Sequence, residues 1–286
     1  MQTLSAIKKQ IVANYIKTGA GRAKIATSMI KPLRSERDYS SVARKAYLVE
    51  QIPDGTLPIY DRDPDVIAYV VGEEGENILS VAKPSRVLFP LFEIAANPEV
   101  PFTQIKERKY DLVTRSQTLA KTHIQEEEDT RSFAIMDAAA TDPENPNQDV
   151  LVTAPVVSDS LADAFAEIEE HDIRVARLFW NARDYADVRK FDRDILDIES
   201  QANLLNTGLQ SVLWGAQNII SKIVPAGVIY ICGEAELFGR IPVRTELTVI
   251  SADDAKARTI GFSVFENLGI GIHNPKSLCR VLVDRP

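Results

Sequence analysis

From Gln104 to Ala140 the chain contains neither proline nor glycine, and the run then stops at Asp142-Pro-Glu-Asn-Pro-Asn-Gln-Asp149. A segment this long without a breaker has one regular solution, a single helix, because nothing in it favours reversing the chain. We centre the helix on Asp111 to Ala140, about 30 residues, which at 1.5 Å per residue extends about 45 Å. Its apolar positions (Leu112, Val113, Leu119, Ile124, Phe133, Ile135, Met136) are sparse, and its middle reads His123-Ile-Gln-Glu-Glu-Glu-Asp129. Such a helix is not a simple core element. It is expected to cross a flat domain, with part of its surface facing solvent or a neighbouring chain.

The chain around it has 286 residues, 45% of them hydrophobic, enough for one large domain or two modest ones with a real core. That composition excludes a disordered tail protein, a disulfide-stapled miniprotein and a collagen-like rod. No apolar run approaches the roughly 20 residues that span a bilayer, and the first residues lack the apolar stretch of a secretory signal. The two cysteines, Cys232 and Cys279, sit in apolar surroundings, which predicts buried free thiols in a reducing compartment.

Net charge is −8, but it is unevenly distributed. Residues 1–45 hold ten basic side chains (Lys8, Lys9, Lys17, Arg22, Lys24, Lys31, Arg34, Arg37, Arg44, Lys45) against Glu36 and Asp38, a net +8, so the remaining 241 residues carry −16. Residues 53–82 contain Asp54, Asp61, Asp63, Asp65, Glu73, Glu74 and Glu76 against Arg62 alone, a net −6. A basic arm on an acidic body implies that the two do different work.

The arm opens with Leu4, Ile7, Ile11, Val12, Tyr15 and Ile16 near one helical face, ended by Gly19 and Gly21. Strand character begins near Val42. Residues 65–71 and 77–83 flank Gly72-Glu-Glu-Gly-Glu76, the pattern of a β-hairpin, and 86–100 reads as a buried strand followed by turn residues. Beyond the Pro/Asn linker a compact α/β unit is expected. It has a capping-box-like helix start at Ser160 to Asp163, a strand at 175–181, helices at 182–190 and 198–208, and two strands in 218–232 joined by Pro225-Ala-Gly227. Val243, Leu247 and Val249 alternate with Arg244, Glu246 and Thr248 as in a half-buried strand, and 258–284 supplies two or three more strands.

Catalytic signatures are absent from the sequence. Gly19-Ala-Gly-Arg-Ala-Lys24 has the wrong spacing for a phosphate loop. Asn267-Leu-Gly-Ile-Gly-Ile-His-Asn274 has no third glycine and no following helix, so close backbone contacts in strands explain its glycines better. There is no nucleophile elbow, zincin pair or C-x-x-C. On the long helix His123 and Glu127 are i,i+4 neighbours that could share a metal, with Glu126 or Asp129 as a third ligand, and so activate a bound water. Three consecutive glutamates occupy three faces, however, so most of them are expected in solvent or paired with basic groups across an interface. His171 and His273 are isolated. Trp180 and Trp214 read as core anchors.

The order of parts resembles the major capsid protein of tailed bacteriophages, the Hong Kong 97-type fold shared with encapsulins. Segments 126–139 (EEEDTRSFAIMDAA), 181–191 (NARDYADVRKF), 225–249 and 258–275 carry the likeness. It implies an α+β chain with a basic N-terminal arm (1–45), an extended acidic hairpin loop (46–85), a peripheral domain (86–150 and 258–286, with a spine helix at about 111–140) and an axial domain (151–257). The implied function is structural. Copies would form hexamers and pentamers of an icosahedral shell around double-stranded DNA, in a virion assembled in the bacterial cytoplasm, with no catalytic residues, metal or cofactor.

The implied partners are further copies of the chain, a separate scaffolding protein, a portal and a possible decoration protein. DNA would be contacted non-specifically at most, and no membrane would be bound. We expect inter-subunit contacts to join Lys8, Lys9, Arg22 and Lys24 of the arm to Asp61, Asp63, Glu73, Glu74 and Glu76 of the loop. With no lysine from Pro53 to Ala82, the Lys–Asn crosslink of some relatives is not expected. Two other readings remain at this stage: an encapsulin-like compartment shell, and an acidic metal-dependent hydrolase built on His123 and Glu127.

Overall fold

The computed structural model describes residues 41–62, 85–101, 103, 112–146, 148–191, 204, 206–252, 254 and 256–285. The expected arm helix and the acidic hairpin of 65–83 lie outside them. Strands β1 (Leu48–Gln51), β2 (Ile59–Arg62), β3 (Ser85–Leu88), β4 (Leu91–Ala96) and β5 (Glu99–Pro101) come first, followed by helix α1 (Leu112–Thr141). Then come β6 (Asp149–Thr153), α2 (Ser158–Glu169), β7 (Val175–Trp180), α3 (Ala182–Val188), β8 (Val212–Leu213), β9 (Ala216–Ile220) and β10 (Val228–Gly233). The last are α4 (Ala235–Phe238), β11 (Gly239–Ser251), β12 (Thr259–Gly269), β13 (Gly271–Ile272) and β14 (Leu278–Asp284). The α+β expectation holds, and the 30-residue α1 lies within one residue of its expected bounds at each end.

The chain divides into two compact units, one of which contains Ala95–Gln125 and Leu247–Phe265. There the start of β12 pairs antiparallel with β5, Ile260 opposite Val100. The chain turns between β11 and β12 through Ala252, whose N–H donates to the Gly261 carbonyl at 2.9 Å.

The other unit comprises Ser41–Ile94, Glu126–Glu246 and Glu266–Pro286. It is built on a six-stranded sheet in the order β6-β14-β10-β7-β9-β8. Its central strand shows why the sheet needs cover on both sides. Successive side chains of a strand point to opposite faces, and in Val-Ile-Tyr-Ile-Cys both sets are apolar. Ile229 and Ile231 belong to one core with Leu161, Ala164, Phe165 and Ile168 of α2. Tyr230 and Cys232 belong to a second core with Phe133 and Met136 of α1. Each large apolar side chain buried this way contributes about 1.5–3 kcal/mol. Helices on both faces are therefore what a strand without a polar face requires.

Several expectations need correction. α2 begins at Ser158, two residues before the expected cap, and its N-cap Val157 makes no side-chain cap bond. β9 and β10 are the two strands expected on either side of Pro-Ala-Gly, but they are not neighbours in the sheet, because β7 lies between them, parallel to β9 and antiparallel to β10. β14 lies between β6 and β10. Trp180 is a core anchor, fully buried, its indole N–H donating to Asn218 Oδ1 at 2.9 Å. Trp214 is not. It is 48% exposed with φ +48°, in the tight turn Trp214-Gly215 between β8 and β9.

The glycines of 267–274 serve packing, as expected. A Cβ at Gly269 would lie 3.0 Å from the Pro90 carbonyl oxygen, and one at Gly271 would lie 2.3 Å from the Phe89 ring. Both cysteines are buried and free, and burial pushes the Cys279 thiol up to about 12. Among the described residues, no helix is long and apolar enough to cross a membrane.

Candidate functional site

The described structure opens with a short segment fastened to α1. Asp129 is fully buried on that helix. One carboxylate oxygen accepts from Ser41 Oγ at 2.8 Å and the Ala43 N–H at 3.1 Å, and the other accepts from the Val42 N–H at 2.9 Å. These bonds begin a single 3-10 turn, Ala43–Lys45, whose Ala43 is buried. Charge-assisted bonds to an ionised acceptor are about twice as strong as neutral ones, so one side chain fixes the point from which residues 1–40 depart.

The next residue extends the anchor. Arg44 Nε donates to Glu128 Oε1 at 2.6 Å and Nη2 donates to Glu266 Oε2 at 3.1 Å, while Glu246 lies 3.9 Å from Nη1. Glu128 and Glu266 are 1% and 2% exposed. Tyr47 closes the segment by donating its hydroxyl to the Ser132 carbonyl at 3.4 Å. Burial is the chief force holding the Tyr47 phenol well above its usual range, so it stays a neutral donor.

Two further arginines staple the sheet unit. Arg280 of β14, itself buried, reaches Asp149 of β6 through Nε at 3.0 Å and Nη2 at 2.5 Å, and also pairs with Asp137 of α1. Arg285, just past β14, reaches Asp184 through Nε at 3.0 Å and Asp187 through Nη2 at 2.7 Å. Both aspartates lie on α3 and are buried. Asp184 also accepts from the Gly227 N–H at 2.8 Å. Asp187 also accepts from the Val156 N–H at 3.2 Å and from Lys190 Nζ at 2.9 Å.

Of the residues expected to make inter-subunit contacts, Lys8, Lys9, Arg22, Lys24, Asp63, Glu73, Glu74 and Glu76 lie outside the described residues. Asp61 is described. It sits on β2 directly opposite Arg86 of β3 and pairs with it at 2.8 Å, both side chains well exposed. The strands on either side of residues 63–84 are therefore joined by a surface ion pair.

The His123–Glu127 pair does not gather a third ligand. Glu127 is engaged by Arg131 at 2.9 Å on the exposed side of the helix, and Glu126 meets Lys222 at 2.5 Å. Among the described residues, no group of three or more His, Cys, Asp or Glu side chains is arranged to hold a metal. Of the three glutamates, Glu126 and Glu127 meet basic groups, as expected of most of them, whereas Glu128 is buried, and so is Asp129 beside it. The signal for them was present: Asp129, Phe133 and Met136 are spaced i, i+4, i+7, and so share the face that enters the core.

No protein-family model matches the sequence, and no curated protein matches it. Solved structures do match in fold. A chain of the mature capsid of bacteriophage PhiM1 superposes with a TM-score of 0.69 at 10% identity, covering 90% of this chain and 91% of that one. A chain of the capsid of cyanophage P-SCSP1u gives 0.70 at 10% identity, covering 94% and 96%. One from the capsid of a native GTA particle gives 0.58 at 16% identity, covering 94% and 98%. The likeness extends over nearly the whole of each partner, so it is a likeness of complete architecture and not of one shared motif. The chain has the fold of these capsid subunits, the Hong Kong 97-type fold.

Proposed function

We propose that this chain is the major capsid subunit of a tailed phage, assembling with copies of itself into hexamers and pentamers of an icosahedral shell around double-stranded DNA. The observation that carries this reading is the superposition with phage capsid chains over nine-tenths or more of both partners. The chemistry agrees. Arginine–carboxylate staples fix strands and chain ends in the described structure, as a subunit under assembly load requires. We assign 1–45 as the arm, 46–85 as the extended loop and α1 as the spine helix of a peripheral domain. The remaining sheet unit is the axial domain, which takes β14 because of its place between β6 and β10.

Negative-stain microscopy of the purified protein is the direct test. Closed particles of uniform diameter are expected, with DNA inside when they are recovered from infected cells. A small discrete oligomer would overturn the assignment. Particles that carry a cargo enzyme and no genome would replace it with a compartment shell.

Within this reading the +8 arm of one copy meets the −6 loop of another. Exposed ion pairs contribute only about 0–1 kcal/mol each, so these charges set registry and encounter while buried apolar contacts hold the shell. Replacing Glu73, Glu74 and Glu76 together by lysine is expected to abolish or misdirect particle formation while leaving the thermal unfolding of the subunit within about 0.5 kcal/mol of the parent. Normal particles from the triple variant would remove the arm–loop pairing.

A further inference from the structure

The residues around Arg44 carry more negative charge than its guanidinium neutralises. Among the described residues, the charged groups that face Glu266 are Arg44 from the segment before β1, Glu128 from α1 and Glu246 from β11. Glu246 is half exposed and screened by water, which leaves a set of one partly buried cation and two buried carboxylates. Asp129 next to Glu128 adds a fourth carboxylate, but its two oxygens are taken up by Ser41, Val42 and Ala43. In this set Arg44 offers one hydrogen bond to each glutamate, and Glu266 Oε1 is buried with no hydrogen-bond partner among the described residues. An ionised carboxylate with a bare buried oxygen is costly, and a protonated one is far less so. Charge counting gives the same answer: +1 and −2 become neutral when one proton is bound.

We propose that this cluster is a proton-operated latch on the root of the amino-terminal arm, holding Ser41–Tyr47 against α1 and β12 when one proton is bound and releasing it when that proton is lost. Burial first, and then the charge of Glu128, push Glu266 up to about 7 despite Arg44. Burial also raises Glu128, against the pull of Arg44. The sign follows from linkage. A carboxyl raised from its ordinary value of 4.5 to about 7 binds more protons in the docked state than in the open one. The contribution of Glu266 to docking is therefore complete below pH 4.5, weakens as the pH rises toward about 7, and levels off above that. The latch operates near neutrality, where small changes in proton activity change its charge. This goes beyond the assembly reading and can be tested independently of it, since the readout is local to the chain.

The measurement is hydrogen–deuterium exchange of the peptide spanning 41–51 at pH 5.5 and 8.5, corrected for the intrinsic pH dependence of exchange. The amides of Lys45, Ala46 and Tyr47, bonded to the carbonyls of Val42, Ala43 and Arg44, report the docked turn. In the wild type their protection is expected to fall about tenfold or more between the two pH values, a factor of ten per pKa unit of linkage. A peptide from Phe133 to Met136 should change little. Glu266→Gln, which keeps the neutral shape, should hold the 41–51 amides protected at both pH values. If Glu266→Gln does not fold, the wild-type pH series decides alone. Equal wild-type protection at the two pH values overturns the proposal, as does a folded Glu266→Gln variant that loses protection like the parent.

Discussion

Asp129→Ala is expected to destabilise the protein by about 3 kcal/mol or more and to free the segment before β1. The side chain is fully buried and accepts three hydrogen bonds, from Ser41 Oγ and the N–H groups of Val42 and Ala43. A hydrogen bond to a charged group contributes about 1.5–3 kcal/mol, and a buried donor left without a partner adds its own desolvation cost. The three bonds share one acceptor, so they do not add in full.

Asp129→Asn separates acceptor geometry from charge. It keeps one acceptor oxygen and removes a negative charge that acts on Glu128, so it should cost about half as much. Denaturant or thermal unfolding checks both values, and the 41–51 peptide should lose exchange protection in the alanine variant ahead of global unfolding. An alanine variant within about 0.5 kcal/mol of the parent would mean that Asp129 does not hold the segment.

The arm's anchor was harder to read from sequence than the helix that carries it. α1 was legible to within a residue because a long run without proline or glycine admits one solution and a Pro/Asn cluster ends it. The anchor depends on pairs 84 to 222 residues apart, Arg44 with Glu128 and with Glu266. No local pattern encodes such a distance. The buried positions within 126–129 were hard to read because single-residue polarity outweighs a sparse apolar period, although the i, i+4, i+7 spacing to Phe133 and Met136 placed Asp129 on the buried face.

Sheet order was illegible for a different reason. Pro225-Ala-Gly227 says that the chain turns, but not whether another strand enters between those it joins. β7 enters because its Leu178 and Phe179 bury on opposite faces of the sheet, as an interior strand's must. Trp214 was misread from its bulk. Gly215 beside it, at φ +87°, was the better guide, since a glycine next to a two-residue strand marks a turn.

Arg285→Ala is the second large expected effect. Asp184 and Asp187 are buried side by side on α3, and among the described residues Arg285 is the one guanidinium that contacts both. Breaking a buried pair by removing one partner costs about 3–5 kcal/mol when the charge left behind stays in the interior. Here Asp184 keeps the Gly227 N–H, and Asp187 keeps Lys190 and the Val156 N–H, so about 2–4 kcal/mol is expected. Leucine cannot supply the missing charge, so Arg285→Leu should lose as much as alanine. Arg285→Lys should recover part of the loss, because a single ammonium cannot donate in parallel to two carboxylates as the guanidinium does.

The pH dependence identifies the mechanism. Burial works to raise Asp187, but hydrogen bonds from Lys190, the Val156 N–H and Arg285 outweigh it and hold the carboxyl below its ordinary 3.8. A lowered carboxyl gives stability that is complete above the unfolded value and is lost as the pH falls through the folded one. The gap between parent and Arg285→Ala should therefore be widest near neutral pH and narrow below about pH 4, where the parent loses the same ion pair to protonation. A gap that stays constant from pH 7 to pH 3 would show that Arg285 acts through packing of its aliphatic stem and not through charge.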